Sequence, residues 1–236
     1  MTLFTVRTGA ALFLAASLAA CGGGSDKAKF PVSGTVSGLY YDSLTLTTGS
    51  QTLEIKKPGL DSSGVANVVN YTFPQILEYG DVYFVKLVSN PAHQSCSVLQ
   101  TAADSAGHTA SINVSVTCSI NAYTVNGYIS GLKGDGLTLI NGSLDGTLTP
   151  TKATVDANAA TEAAAEAAAV AAGGAVGSGA KTPSFSFATA VGFDQAYGVT
   201  ILAQPKGQHC TVTNGAGLMK DAAVLNIAVK CEDNPA

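Results

Sequence analysis

The side chains of this chain best suited to bind a metal or to act in catalysis are its 5 cysteines and 3 histidines. Together these two types are typical zinc ligands, but a zinc site needs closely spaced pairs such as C-x-x-C. No such pair is present, since His93 lies three residues before Cys96 whereas His209 directly precedes Cys210. The motifs of serine hydrolases, zinc peptidases, phosphate-binding loops and EF-hands are also missing. We therefore predict no metal site, no cofactor and no enzymatic activity.

The sequence contains an internal repeat, and four of the cysteines lie at matched positions of its two copies. Residues 32–39 (VSGTVSGL) align with residues 125–132 (VNGYISGL) at an offset of 93, and matches resume further on at an offset of 114 that becomes 113 near the end of the chain. The later matched pairs are Phe73 with Phe187, Tyr83 with Tyr197, Val85 with Val199, Pro91 with Pro205, Cys96 with Cys210, Val98 with Val212 and Cys118 with Cys231. The chain is therefore interpreted as two copies of one unit.

The matched positions alternate with polar residues, as in Tyr83-x-Val85-x-Leu87, and this period of two is typical of a strand with one buried face. Gly, Pro, Asn or Asp separates most of these segments. In the first copy the predicted strands lie near residues 30–37, 44–47, 52–56, 68–73, 82–89, 95–100 and 110–118. About seven short strands per copy indicate a Greek-key β-sandwich. We predict an all-β protein of two tandem Ig-like modules, residues 30–118 and 123–231.

The pattern is an early G-x-V-x-G-L, as in residues 34–39, a central F-x-F, as in residues 185–187, and a later Y-x-V, in residues 83–85 and 197–199. This pattern resembles transthyretin-like and carboxypeptidase-regulatory-like modules, and also repeats found in bacterial lipoproteins. The resemblance implies a β-sandwich and no particular activity, because such folds host many unrelated functions.

Four cysteines belong to the repeats, and four cysteines allow three pairings. Only Cys96–Cys118 with Cys210–Cys231 keeps each bridge inside one repeat and treats both repeats alike. Each bridge ties the start of the sixth predicted strand to the end of the seventh. Disulfides of this kind persist outside the cytoplasm.

The fifth cysteine follows a segment typical of an export signal. Arg7 supplies a positive charge, and residues 10–20 (AALFLAASLAA) form an apolar run. That run is too short to span a bilayer, which needs about 20 apolar residues. Leu18-Ala19-Ala20-Cys21 resembles the lipobox of bacterial lipoproteins. The resemblance implies that residues 1–20 are a cleaved signal peptide and that Cys21 carries lipid, including palmitate, which anchors the chain to a membrane.

Residues 21–29 begin with three glycines after the cysteine, and this composition is typical of a flexible tether. Gly22 stands where an aspartate would mark inner-membrane retention, so the resemblance to lipoproteins implies the outer membrane. At the other end of the first module, residues 119–122 contain neither Gly nor Pro. We therefore predict a short, restrictive linker and a semi-rigid two-module rod.

The second repeat carries an insertion around residues 153–180. Residues 157–172 are rich in alanine, the best helix former, and Asp156 or Thr161 is the expected N-cap with Gly173-Gly174 as the stop. Because its apolar positions are nearly all alanine, we expect a solvated, partly helical loop extension. A contact arm for a partner or for the first module is the alternative.

Composition narrows the function. Charged residues make up only 12% of the chain, and Arg7 is the single arginine, so nucleic-acid binding is excluded. Our first hypothesis is a non-enzymatic envelope lipoprotein whose modules act structurally or bind an envelope protein or a glycan. The alternative is a carbohydrate- or ligand-binding module of a secreted system, for which Tyr40, Tyr41 and Tyr79 are the candidate stacking residues, although tryptophan is absent.

Overall fold

The computed structural model describes residues 28–99, 103–142, 146–172 and 182–235. In this part of the chain the first repeat contains ten strands: β1 (Lys29–Ser37), β2 (Ser43–Thr48), β3 (Gln51–Lys56), β4 (Val69–Glu78), β5 (Val82–Phe84), β6 (Lys86–Ser89), β7 (Gln94–Val98), β8 (Ala103–Ser105), β9 (Ile112–Asn113) and β10 (Val116–Ile120). One sheet has the order β4-β1-β10-β7, with β9 also pairing β1, and the others are β3-β2-β6 and β5-β8.

The second repeat continues with β11 (Ala122–Tyr123), β12 (Val125–Ser130), β13 (Thr138–Asn141), β14 (Thr147–Leu148), the helix α1 (Lys152–Ala171), β15 (Phe185–Ser186), β16 (Val191–Gly192), β17 (Ala196–Ala203), β18 (Gln208–Thr213), β19 (Ala216–Leu218) and β20 (Val224–Asp233). Its main sheets have the orders β15-β12-β20-β18 and β14-β13-β17-β19, and β11 pairs β16. None of these sheets joins strands of the two repeats.

Alternation of apolar and polar residues builds a separate core in each repeat. On β2, Leu44 and Leu46 are fully buried, while Thr45 between them lies on the other face and is only partly buried. The first core gathers these leucines with Val36 and Phe73, and the second is a distinct cluster around Phe187. The predicted all-β fold of two tandem β-sandwich modules, with a helical insertion in the second, is confirmed.

An early strand of each repeat, β1 in the first and β12 in the second, lies parallel to the last one. Val36 on β1 is paired with Val116 on β10, and Ile129 on β12 is paired with Val229 on β20. Because β1 and β10 run in the same direction, the chain enters the first repeat at one end of the sandwich and leaves it at the other.

Some strand predictions were wrong in detail. The segment predicted as one strand over residues 82–89 is divided at Val85, because β5 pairs with β8 whereas β6 pairs with β2. The segment predicted over residues 110–118 is likewise divided into β9 and β10. Strand β8 was not predicted, since its sequence Ala-Asp-Ser has little β propensity.

The helix is present, but its predicted N-cap was wrong. Helix α1 begins at Lys152, and the hydroxyl of Thr151 accepts a hydrogen bond from the amide of Thr154 at 3.2 Å, so neither Asp156 nor Thr161 caps it. The segment was expected to be a solvated, partly helical loop extension, but Val155 in the first turn is only 8% exposed and belongs to the core of the second repeat. The expected stop at residues 173–174 lies outside the described residues.

The repeated glycine of the first strand permits a close crossing of backbones. A Cβ atom on Gly34 would lie 1.8 Å from the carbonyl oxygen of Val114, and one on Gly127 would lie 2.5 Å from that of Ile227. In the first repeat that Val114 oxygen also accepts a hydrogen bond from the hydroxyl of Tyr71 at 2.6 Å. The first glycine of the early motif is therefore required by packing in both repeats.

Tyr71 makes the first repeat sensitive to alkali. Its burial raises the pKa of Tyr71 to about 12, whereas the residue titrates near 10 in an unfolded chain. The folded state therefore holds the proton more tightly, and we expect stability to fall as the pH rises from about 10 through about 12. Tyr71→Phe should flatten this pH dependence and cost about 1 kcal/mol at neutral pH for the lost hydrogen bond.

Urea unfolding of the wild type and Tyr71→Phe at several pH values between neutrality and 12 measures both effects. The second repeat provides a natural control, because Phe185 occupies the position equivalent to Tyr71 and has no hydroxyl to ionise. An equal alkaline loss in the variant and the wild type would contradict the assignment to Tyr71.

Candidate functional site

Both predicted disulfides are confirmed. Cys96 is bonded to Cys118 and Cys210 to Cys231. In each pair the two cysteines are direct cross-strand partners, joining β7 to β10 and β18 to β20. The predicted site of lipid attachment, Cys21, lies outside the described residues.

The structure keeps the three histidines apart. His93 lies at the turn before β7, His108 lies in an exposed turn beside Asp104, and His209 lies on β18. The backbone amide of Ser105 and the imidazole of His108 lower the pKa of Asp104. Within the described ranges, no group of three or more His, Cys, Asp or Glu side chains is placed to hold a metal ion.

A buried glutamine before the first repeat cysteine organises the turns at one end of the sandwich. Gln94 is 1% exposed, and its Oε1 accepts hydrogen bonds from the amides of Tyr40 and Tyr41 at 2.8 and 3.0 Å. Its Nε2 donates to the carbonyl of Gly38 at 2.6 Å. One amide side chain thus supports the β1–β2 turn and the turn before β7.

The second repeat uses Gln208 in the same way. Its Oε1 accepts hydrogen bonds from the amides of Lys133 and Gly134, and its Nε2 donates to the carbonyl of Gly131 at 2.8 Å. Sequence reasoning missed both glutamines, although the signal was present in the shared pattern P-x-x-Q-x-C, of which only the proline and the cysteine were used.

A second amide protects the outer edge of the sheet next to each disulfide. In the second repeat Gln204 accepts a hydrogen bond from the amide of Cys210 at 2.7 Å and donates to its carbonyl at 3.0 Å. Asn90 accepts the equivalent hydrogen bond from Cys96 at 2.7 Å. A groove of about 470 Å³ lies between β17 and β18. The edge of β18 borders this groove, and at Cys210 its backbone amide and carbonyl already have hydrogen-bond partners.

His93 occupies a turn position that does not favour histidine. Its φ is 59°, in the left-handed region, and the equivalent residue of the second repeat is Gly207 with a φ of 74°. Glycine adopts this conformation without a steric penalty, whereas other residues are uncommon there. Glycine thus suffices for this turn, and the side chain of His93 is available for contacts outside it.

The His93 side chain contacts the second repeat. Its ring stacks on Phe193, with centroids 3.6 Å apart and planes at 2°. Its Nδ1 lies 2.7 Å from a carboxylate oxygen of Asp221. Tyr41 packs edge-on against both rings, at centroid distances of 5.4 and 5.7 Å. These four residues form a cluster that we call the junction clamp.

The linker is also bound to both repeats through Asn121. Its amide donates to the carbonyl of His93 at 2.9 Å, and its carbonyl accepts from the amide of Phe193 at 2.8 Å. Its side-chain oxygen accepts from the hydroxyl of Ser95 at 2.7 Å. Strand β10 ends at Ile120 and β11 begins at Ala122, so a single residue separates the two strands.

The candidate sugar-binding tyrosines are not brought together. Tyr41 belongs to the junction clamp, whereas Tyr79 lies on the turn after β4 at the opposite end of the first repeat and is 75% exposed. The clamp itself was missed by the sequence reasoning. The available signal was the contrast between His93 and Gly207 at equivalent positions of the two repeats.

No family model matches the chain, and no curated protein matches it. Similar solved structures include the Bacillus anthracis TIE protein, at 11% identity and a TM-score of 0.42, with 85% of this chain and 34% of that chain covered. Others are the major pilin protein T-13 of Streptococcus pyogenes (12% identity, TM-score 0.31, coverage 88% and 98%) and two B repeat units of the Staphylococcus aureus collagen binding protein (12%, 0.25, 86% and 76%).

The chain spans about a third of the length of the TIE protein. At these identities and TM-scores, the similarities carry no argument about what the chain binds or does. Across the parts of the chain that the structure describes, no helix combines the length and the apolar character that a membrane span requires.

Proposed function

We propose that this chain is a non-enzymatic envelope lipoprotein whose two β-sandwich repeats act as a spacer, standing in series on a membrane to which Cys21 is attached by lipid. The observation that carries this proposal is the junction clamp. A histidine at a glycine position, stacked on one residue of the second repeat and hydrogen-bonded to another, is suited to holding two repeats at a fixed angle.

The path of the chain supports the same function. The tether meets β1 at one end of the first repeat, and β10 leaves from the other end toward β11. Repeats connected in this way are arranged in series from the anchor. A spacer needs no catalytic cleft, but it needs a defined orientation of the second repeat relative to the first. The junction clamp and the hydrogen bonds of Asn121 support such an orientation.

Lipid attachment is tested at the cysteine. We expect Cys21→Ser to abolish incorporation of a labelled fatty acid and to leave the protein unprocessed or released from membranes. Metabolic labelling followed by membrane fractionation measures both. A Ser119→Ala variant, changed at an exposed linker residue, serves as the matched control and should label normally. Undiminished label in Cys21→Ser would contradict the lipoprotein assignment.

The junction clamp is tested by replacing His93 with glycine, the residue found at the equivalent position 207 of the second repeat. His93→Gly removes the stacking and the hydrogen bond to Asp221 while suiting the left-handed turn, so the first repeat should remain folded. In residual dipolar coupling measurements on the lipid-free protein, we expect one alignment tensor to fit both wild-type repeats. In His93→Gly the two repeats should require separate tensors.

The control is His209→Ala, which removes an exposed histidine from the second repeat without touching the clamp. It should retain the single tensor. Separate tensors already in the wild type would show that the clamp does not restrain the repeats, and would remove the argument for a spacer.

A further inference from the structure

We propose that the tether end of the first repeat rests on the lipid surface, with Tyr79, Val82 and Ile76 in contact with the interfacial region of the bilayer. This inference rests on the proposed lipid anchor at Cys21 and deepens it. It gives the anchored end of the protein a second, reversible contact with the membrane.

The topology places these residues beside the tether. Lys29, the first residue of β1, is paired with Glu78 at the end of β4. The turn of residues 79–81 follows directly, and Val82 begins β5. Eight peptide units join the Cα atoms of Cys21 and Lys29, and they span at most about 29 Å when fully extended. The tether end is therefore the part of the sandwich held nearest the membrane.

This end of the first repeat exposes large apolar side chains on a hydrogen-bonded turn and the strands beside it. Tyr79 is 75% exposed, Val82 is 79% exposed and Ile76 is 50% exposed. The turn that carries Tyr79 is held by hydrogen bonds between Gly80 and Ala106, at 2.8 Å, and between Ala106 and Asp81, at 2.7 Å. The exposed side chains are therefore displayed by an ordered turn.

The ring of Tyr79 has a fixed neighbour as well. It packs over Gly107, where a Cβ atom would come within 2.3 Å of the ring carbon Cδ2. This contact holds the aromatic ring at the end of the sandwich. A ring held in this way needs little further ordering when it enters an interface.

The second repeat shows what the same end does when it has a protein neighbour. The residue equivalent to Tyr79 is Phe193, which is covered by His93 in the junction clamp. The residues equivalent to Ile76 and Val82 are Ala190 and Ala196, which are smaller. The additional exposed apolar surface thus belongs to the repeat beside the proposed anchor, where no protein module precedes it among the described residues.

The chemistry of the surface fits a lipid interface. Tyrosine is enriched at membrane–water boundaries because its ring is apolar and its hydroxyl is polar. The ionisable residues at this end include Lys29, Glu78, Asp81 and the hydrogen-bonded pair Asp104 and His108, and since acidic groups outnumber basic ones, anionic lipids are not preferred. We therefore expect contact with zwitterionic membranes, driven by the apolar side chains and by the proximity that the tether imposes.

The chain contains no tryptophan, so one introduced indole reports on one place. In the lipidated Tyr79→Trp protein reconstituted in phosphatidylcholine vesicles, we expect a blue-shifted emission that is quenched by brominated acyl chains. Leu202→Trp is the matched control, since Leu202 is 60% exposed on the second repeat, and its emission should be neither shifted nor quenched. Adding Val82→Ser to Tyr79→Trp should reduce the quenching.

Measuring fatty-acid label on the same preparation distinguishes failure of the lipid anchor at Cys21 from failure of the membrane contact at Tyr79. Label at Cys21 with no quenching at residue 79 would overturn the membrane contact alone, whereas absence of label would overturn the anchor. A blue shift that depends on protein concentration, without quenching by brominated lipid, would identify a second copy as the occupant and would also overturn the contact.

Discussion

Replacing Gln94 by methionine is expected to lower the free energy of unfolding of the first repeat by about 3 kcal/mol. The side chain is 1% exposed and makes three hydrogen bonds to the backbone, two as acceptor and one as donor. Each buried polar group left without a partner costs about 1–3 kcal/mol, and methionine supplies neither donor nor acceptor. Urea denaturation of the lipid-free protein, followed by tyrosine fluorescence, measures the loss.

Two further variants show that hydrogen bonding is the cause. Gln208→Met should destabilise the second repeat by a similar amount, because its side chain makes the equivalent contacts. Gln75→Met changes an exposed glutamine and should cost less than about 0.5 kcal/mol. If Gln94→Met and Gln75→Met were equally mild, the turns would not depend on the buried amide.

The strands and disulfides could be predicted because their signals are local or repeated. Alternation over Leu44 and Leu46 reports a buried face without knowledge of the partner strand. The duplication then supplied the long-range information, since it selects the pairing Cys96–Cys118 with Cys210–Cys231. A single copy of the repeat would have offered neither the comparison nor the second pair.

The junction clamp could not be predicted in the same way. His93 and Phe193 belong to different repeats, and neither lies in an alternating segment that would indicate a shared surface. The repeat comparison identifies where His93 departs from Gly207, but it does not give the partner. The partner depends on the angle between the repeats, which the linker and its hydrogen bonds determine in three dimensions.

The start of the helix was misplaced for a different physical reason. Alanine content identified the segment with the highest helix propensity, whereas the start of the helix depends on a local cap at Thr151 and on tertiary contacts of the first two turns. Val155 enters the core of the second repeat, and the amide of Asn158 donates to the carbonyl of Pro183 at 3.0 Å. These contacts extend the helix toward Thr151, beyond the alanine-rich run.

The other large effect is expected from the disulfides. Replacing both cysteines of one bridge by alanine should lower the free energy of unfolding of that repeat by about 3 kcal/mol, according to the chain-entropy model for loops of this length. The bridges close loops with sequence separations of 22 and 21 residues, so the two losses should be nearly equal. Urea denaturation of each double variant measures them, with the unmodified repeat as internal control.

Resistance to reduction should distinguish the two bridges even though their stabilising effects are similar. Cys210 and Cys231 are 2% and 5% exposed, whereas Cys96 is half-buried beside Cys118. Thiol attack requires access to a sulfur, so dithiothreitol should open Cys96–Cys118 first. Alkylation of samples taken during reduction, followed by peptide mass spectrometry, gives the order. Simultaneous opening would mean that each repeat must unfold before its bridge reacts, and that the rate of unfolding, rather than exposure in the folded state, controls reduction.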